Sequence, residues 1–129
     1  MYLVDTSVLI DFLKGRATAQ SDRFEQIMRQ GIPFGISALT LQETLQGARD
    51  VREYDRLHRY LTTQKIYYPT PATYESAARI FFDCRKSGIT IRSTIDTLIA
   101  ATAIENDLIL LASDRDFLFM VGVVDLVVE

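Results

Sequence analysis

Apolar positions along this chain switch repeatedly between continuous runs and helical spacing. Tyr2-Leu3-Val4 is a short apolar run ending at a carboxylate, Asp5. Behind it Val8, Leu9, Phe12 and Leu13 fall at helical spacing until Gly15 stops the pattern. Ala19 to Arg29 predicts a second helix, with Phe24, Ile27 and Met28 on one side. Gly31 and Pro33 then frame a second strand, Phe34 to Ser37. Helical spacing returns from Ala38 to Ala48 through Leu41, Leu45 and Ala48, and continues from Arg49 to Thr62 through Val51, Tyr54, Leu57 and Leu61. Ile66 to Tyr68 predicts a third strand, closed by Pro69 and Pro71. Helices over Thr73–Lys86, ending at Gly88, and over Ser93–Glu105 precede a fourth strand at Leu108–Leu111. Val123–Val128 is expected to be the last strand.

Repeated β–α alternation implies an α/β fold with a mostly parallel sheet covered by helices. No linker, repeat or change of composition marks a boundary, so residues 1–129 are expected to form one domain. With 48% hydrophobic residues the chain is no disordered polymer. Its longest apolar stretch, Phe117 to Val124, falls well short of the roughly 18–20 residues a membrane helix needs. No basic segment precedes the first apolar residues, so no secretory signal is expected.

A single cysteine, Cys84, excludes an internal disulfide and a cysteine zinc site, and makes a reducing cytoplasm the expected compartment. One histidine, His58, leaves little for a nucleophilic triad. The net charge of −3 argues against nucleic-acid binding by bulk electrostatics, though a bound metal would supply local positive charge. Among the 14 basic residues, 11 are arginine, the side chain suited to bidentate phosphate or carboxylate contacts.

Chemistry in parallel sheets collects at the carboxyl ends of the strands. Asp5 follows the first strand directly, and Asp114 and Asp116 follow the fourth. Glu43 lies about one turn into the helix after the second strand, and Asp96 in the first turn of the helix leading to the fourth. Each has a plain structural explanation. Asp5 can cap a helix, Thr40/Glu43 and Ser93/Asp96 can form capping boxes, and Asp114 and Asp116 can serve a turn and a cap near Phe117. Taken together they point to one site. Crowded carboxylates repel unless a proton or cation sits among them, and an all-oxygen set selects Mg²⁺ or Mn²⁺. Such an ion suits phosphodiester hydrolysis, because it acidifies water and stabilises charge on phosphate oxygens. Gly47, read as a helix-interior position, suggests a close approach beside Glu43.

The segments carrying these acids resemble the motifs of PIN-domain ribonucleases, in particular the VapC toxins of toxin–antitoxin pairs. Leu3-Val4-Asp5-Thr6-Ser7-Val8-Leu9-Ile10-Asp11 is similar to the first motif, and Leu41-Gln42-Glu43-Thr44-Leu45-Gln46-Gly47-Ala48 to the glutamate motif. Arg85-Lys86-Ser87-Gly88 with Ile91 to Ala101 resembles the third, and Leu110-Leu111-Ala112-Ser113-Asp114-Arg115-Asp116-Phe117 the last. The resemblance spans the chain in the expected order. It implies a three-layer α/β/α sandwich, Mg²⁺- or Mn²⁺-dependent cleavage of RNA, a homodimer and neutralisation by a VapB-like antitoxin. It assigns the metal to Asp5, Glu43, Asp96 and Asp114, with Asp116 next, directly or through water. Ser7 is expected to support Asp5, and Arg92 to contact phosphate or an antitoxin side chain. A non-cleaving RNA- or partner-binding module of the same fold would be expected to lack a central acid, and none is missing here.

Other features read as structural. Arg49, Arg52, Arg56 and Arg59 line one helix face and are expected to be solvated, with local pairs such as Asp55–Arg59. His58 is expected at the surface, and Cys84 as an inert, partly buried thiol.

Overall fold

Four short strands, all parallel, form the centre of the molecule in the computed structural model, which describes residues 1–129. They are β1 (Tyr2–Val4), β2 (Phe34–Ser37), β3 (Lys65–Tyr67) and β4 (Ile109–Leu111), in the order β3-β2-β1-β4. The chain therefore winds one way from β1 to β3, then returns to the other side of β1 for β4. The reversal falls between β1 and β4, whose residues pair Tyr2 with Ile109 and Val4 with Leu111. In such sheets, the crevice at the reversal is where ligands bind.

Period-two alternation along the strands divides the core in two. Tyr2, Val4, Ile36 and Leu111 face one side with Val8, Leu9, Phe24, Ile27 and Leu61. That layer contains α1 (Thr6–Leu13), α2 (Ala19–Arg29), α3 (Ala38–Gln46) and α4 (Val51–Leu61). Leu3 and Leu110 face the other side with Ala77, Ile80, Ile99, Phe117 and Met120. That layer contains α5 (Pro71–Lys86), α6 (Thr94–Glu105) and α7 (Arg115–Val121). The expected three-layer sandwich is the observed architecture.

Local signals explain most element boundaries. Asp5, Thr18, Ser37, Asp50, Thr70, Ser93 and Asp114 each cap a helix by accepting a backbone N–H. Pro71 opens α5 two residues earlier than its apolar spacing suggests, because proline is pre-set for the first helical position. Gly15 and Gly88 follow α1 and α5 with φ of +70° and +82°, which other residues adopt only with strain. Phe24 anchors the α1–α2 layer, with the Phe12 and Phe34 rings edge-on at 5.1 and 5.0 Å. Its full burial is worth about 2–3 kcal/mol before those ring contacts are added.

Three expectations are corrected. Val123–Val128 is no strand: only the bridge from Leu110 to Val128 joins it to the sheet. Val123 and Val124 donate their N–H groups back to Met120, so this apolar segment turns under α7 and packs on the α6 core instead of pairing. The third strand begins at Lys65, paired with Gly35, because a sheet edge tolerates a charged side chain. Gly47 lies just past α3, as its C-cap, and nothing stands closer than 3.6 Å to where its Cβ would be. It ends a helix; it does not admit a neighbour.

Candidate active site

Each acid reaches the carboxyl edge of the sheet by a different local device. Asp5 leaves β1 directly, its N–H donating to Leu111 O of β4 at 3.0 Å. Its carboxylate caps α1 and accepts from Ser7 twice, from the hydroxyl at 2.7 Å and from the N–H at 3.3 Å. The cap and the candidate site residue are thus the same group. Burial pushes its ionisation up, the Ser7 hydrogen bonds opposing, with a smaller upward push from Glu43.

Glu43 projects from α3. Ser37 caps that helix, so the Thr40/Glu43 capping box does not form. Glu43 is instead held by Thr6 of α1, whose hydroxyl donates to Oε1 at 2.7 Å and lies 3.0 Å from the Thr40 hydroxyl. Thr6 supports Glu43 in a role the chain pattern did not assign to it, and Thr40, expected as a helix cap, stands beside it instead. The available signal was the position of Thr6, directly after Asp5.

Asp96 sits half-buried in the first turn of α6, a helix with Thr97 and Ile99–Ala103 buried around it. Ser93 caps α6 by accepting from Ile95 N–H, and Asp96 does not close a capping box. Its ionisation is pushed from 3.8 up to about 7. Burial is the largest cause, followed by the charges of Asp5, Asp114, Asp116 and Glu43. Asp5, Asp114, Asp116 and Glu43 are therefore all near enough to Asp96 for their charge to be felt there.

Asp114 caps α7, accepting the Asp116 N–H at 2.9 Å. Asp116 is buried, and its Oδ2 accepts from Arg92 N–H at 3.2 Å and Arg92 Nε at 3.3 Å. Arg92 Nη2 reaches Asp114 Oδ1 at 3.3 Å. Arg92 thus spans both acids of the last motif and is held firmly protonated by them. Its side chain is largely exposed, so the attachment is a weak one that solvent and anions compete for.

No three of these carboxylates stand ready-made as a metal-binding set. Their chemistry still fits a hard divalent cation. The donors are all oxygen, they stand in or at the N-termini of α1, α3, α6 and α7, and burial together with the neighbouring acids makes one of them resist ionisation.

Features expected to be structural are mostly so. Cys84 is buried and its thiol is pushed up by that burial. His58 is exposed and stacks on Tyr54. On the arginine face, Asp55–Arg59 does not form; the pair made is Arg49–Glu53, at 2.7 Å.

A doubly wound parallel sheet, with Asp96 and four acids that bear on it near its reversal, defines an α/β/α protein with a group of acids at the carboxyl edge. Its family follows from comparison: the PIN domain model matches residues 2–120, so the chain belongs to the PIN-domain family. It is 25% identical over 119 residues to the VapC ribonuclease Mb1587 of Mycobacterium bovis, covering 91% of this chain and 89% of that one. The ribonuclease VapC11 of Mycobacterium tuberculosis matches to the same extent. Two solved structures share the fold. A VapBC2 complex from Rickettsia felis, bound to a promoter DNA fragment, gives a TM-score of 0.76 at 16% identity over 99% of this chain and 96% of that one. FitAcB from Neisseria gonorrhoeae gives 0.76 at 21% identity over the same shares.

Proposed function

We propose that this chain is a metal-dependent endoribonuclease, a VapC-type toxin that hydrolyses RNA phosphodiester bonds and is neutralised by a VapB-like antitoxin. The observation that carries the reading is the convergence of Asp5, Glu43, Asp96, Asp114 and Asp116 at the sheet reversal, with Asp96 held near neutrality in its ionisation. The similarity to the VapC ribonucleases of two mycobacteria, and the fold shared with VapBC2 of Rickettsia felis, support it.

Asp5, Glu43, Asp96 and Asp114 would hold Mg²⁺ or Mn²⁺, with Asp116 next to them. When bound, such an ion supplies Lewis-acid polarisation of a phosphate oxygen and a more acidic water. The chain's own residues prepare that place. Ser7 fixes Asp5 by two hydrogen bonds, and Thr6 fixes the Glu43 rotamer across the α1–α3 contact. Burial and the neighbouring carboxylates raise the ionisation of Asp96 to about 7, and a bound cation would favour its carboxylate form. Arg92 orients Asp116 and Asp114, and its exposed guanidinium is free to exchange them for a phosphate. No side chain is needed as a covalent nucleophile. Residence in the cytoplasm and a homodimer complete the proposal.

The test is cleavage of RNA by protein freed of antitoxin, with Mg²⁺ and with EDTA, by the wild type and Asp5→Asn. Asparagine caps a helix as well as aspartate, so the variant keeps its fold. Cleavage that needs Mg²⁺ and is lost in the variant supports the proposal; full activity of Asp5→Asn removes Asp5 from the chemistry.

A further inference from the structure

Phe82 stands 42% exposed near the end of α5, and three cations crowd its ring. The Arg79 guanidinium carbon is 5.7 Å from the ring centroid, that of Arg85 is 5.8 Å, and Lys86 Nζ is 5.5 Å. They lie three before, three after and four after Phe82, the spacings that share a helix face. The negative face of an aromatic ring attracts cations, which offsets part of their mutual repulsion. Phe82 therefore gathers positive charge that would otherwise spread apart.

That charge is mostly uncompensated. Asp83 pairs with Arg79 at 2.9 Å, and no carboxylate stands within ion-pair distance of Arg85 or Lys86. Between positions 79 and 86 the chain places three cations against one acid, although its net charge is −3. The arginine face of α4 is less polarised, with Arg49, Arg52, Arg56 and Arg59 against Asp50, Glu53 and Asp55.

Along the chain the cluster leads to the acidic site. From Lys86 the chain runs to Arg92, whose N–H and guanidinium hold Asp116 and Asp114. The connection is anchored: Ile89 N–H donates to Cys84 O at 2.8 Å and Ile91 is buried in the core. A group of acids repels a polyanion, so a bound strand needs positive charge elsewhere on the protein surface.

We propose that this face is a phosphate-docking surface for single-stranded RNA, with Arg85 and Lys86 contacting the backbone and Phe82 acting as a positioning residue that gathers them. The proposal rests on the ribonuclease reading and names the path by which its substrate approaches.

The test is binding of a fluorescein-labelled, unstructured oligoribonucleotide to the full chain in EDTA, by anisotropy across a salt series. Each phosphate contact on a single strand contributes about 0.7 to the slope of log affinity against log salt. The slope is expected to fall by about 1.4 in the Arg85→Ala/Lys86→Ala double variant. Phe82→Leu, which keeps the apolar bulk, is expected to lower the slope, and Phe82→Tyr to restore it. With Mg²⁺ the double variant should lose kcat/KM while keeping kcat. Unchanged slope and affinity, with cleavage intact, overturn the docking surface and leave the ribonuclease reading standing. The expected slopes with no cleavage by the wild type overturn the ribonuclease reading and leave the docking surface standing. If the double variant loses only capture of an acidic antitoxin peptide, with RNA binding unchanged, the surface serves a protein and the proposal is overturned.

Discussion

Replacing Asp96 by asparagine removes the carboxylate whose ionisation is pushed from 3.8 to about 7 by burial and by Asp5, Asp114, Asp116 and Glu43. A carboxyl group with a raised value in the folded state binds its proton more tightly there than in the unfolded chain. Its ionisation therefore opposes folding: the group costs nothing below about pH 4, and the cost grows until the pH passes about 7. Each pH unit of displacement corresponds to about 1.4 kcal/mol, which sets a ceiling of roughly 4 kcal/mol at pH 8. Asp96 is only half-buried, so water and salt screen much of this, and about 1–2 kcal/mol is the expected remainder. Urea unfolding at pH 8 in EDTA should show Asp96→Asn more stable than the wild type by that amount, the gap closing as the pH falls toward 4. Added Mg²⁺ should stabilise the wild type by about 2.7 kcal/mol at a hundredfold excess over its dissociation constant, and the variant much less. A variant that is less stable than the wild type in EDTA at pH 8 would refute the claim that burial and four neighbouring acids strain Asp96 at this edge.

Other expectations follow from single contacts. Thr6→Val should cost about 1–2 kcal/mol of stability by stripping Glu43 of its hydroxyl partner, and should lower kcat with little change in RNA affinity; denaturation and steady-state kinetics measure both. Gly35→Ala places a Cβ 2.8 Å from Lys65 O and 2.6 Å from the Tyr67 ring, so it should cost about 1–3 kcal/mol in the same unfolding assay by prising β2 from β3. Arg23→Ala breaks the cluster in which Arg23 and Tyr2 both bond Glu129, at 2.6 and 2.7 Å. Faster hydrogen exchange at the Leu110 and Glu129 amides, which tie the final residues to β4, is the expected result.

Strand–helix alternation was legible because apolar spacing is a local property, written into each segment; the three-layer arrangement came from the resemblance to PIN-domain proteins. Asp5 and Asp96 were legible as site candidates for a related reason, since they stand where a strand has just ended or a buried helix begins, and Glu43 lies about one turn into the helix after β2. Reading them as caps was equally defensible at that level, and Asp5 and Asp114 do cap helices. The boundary errors have one cause. Val123–Val128 has strand composition, and Gly47 looked like an interior position, but pairing and helix length depend on where neighbouring segments lie.

Segment type and candidate chemistry, then, were set by the order of residues alone, since hydrogen bonding along a helix and alternation along a strand need no distant partner. The electrostatic coupling among five acids belongs to the tertiary structure, because it depends on the winding reversal that seats β4 beside β1. So do the grip of Thr6 on Glu43 and the span of Arg92 across Asp114 and Asp116, contacts between groups 22 to 37 residues apart. Side chains that far apart in the chain meet only after the core has closed, and their energies appear only in the folded molecule.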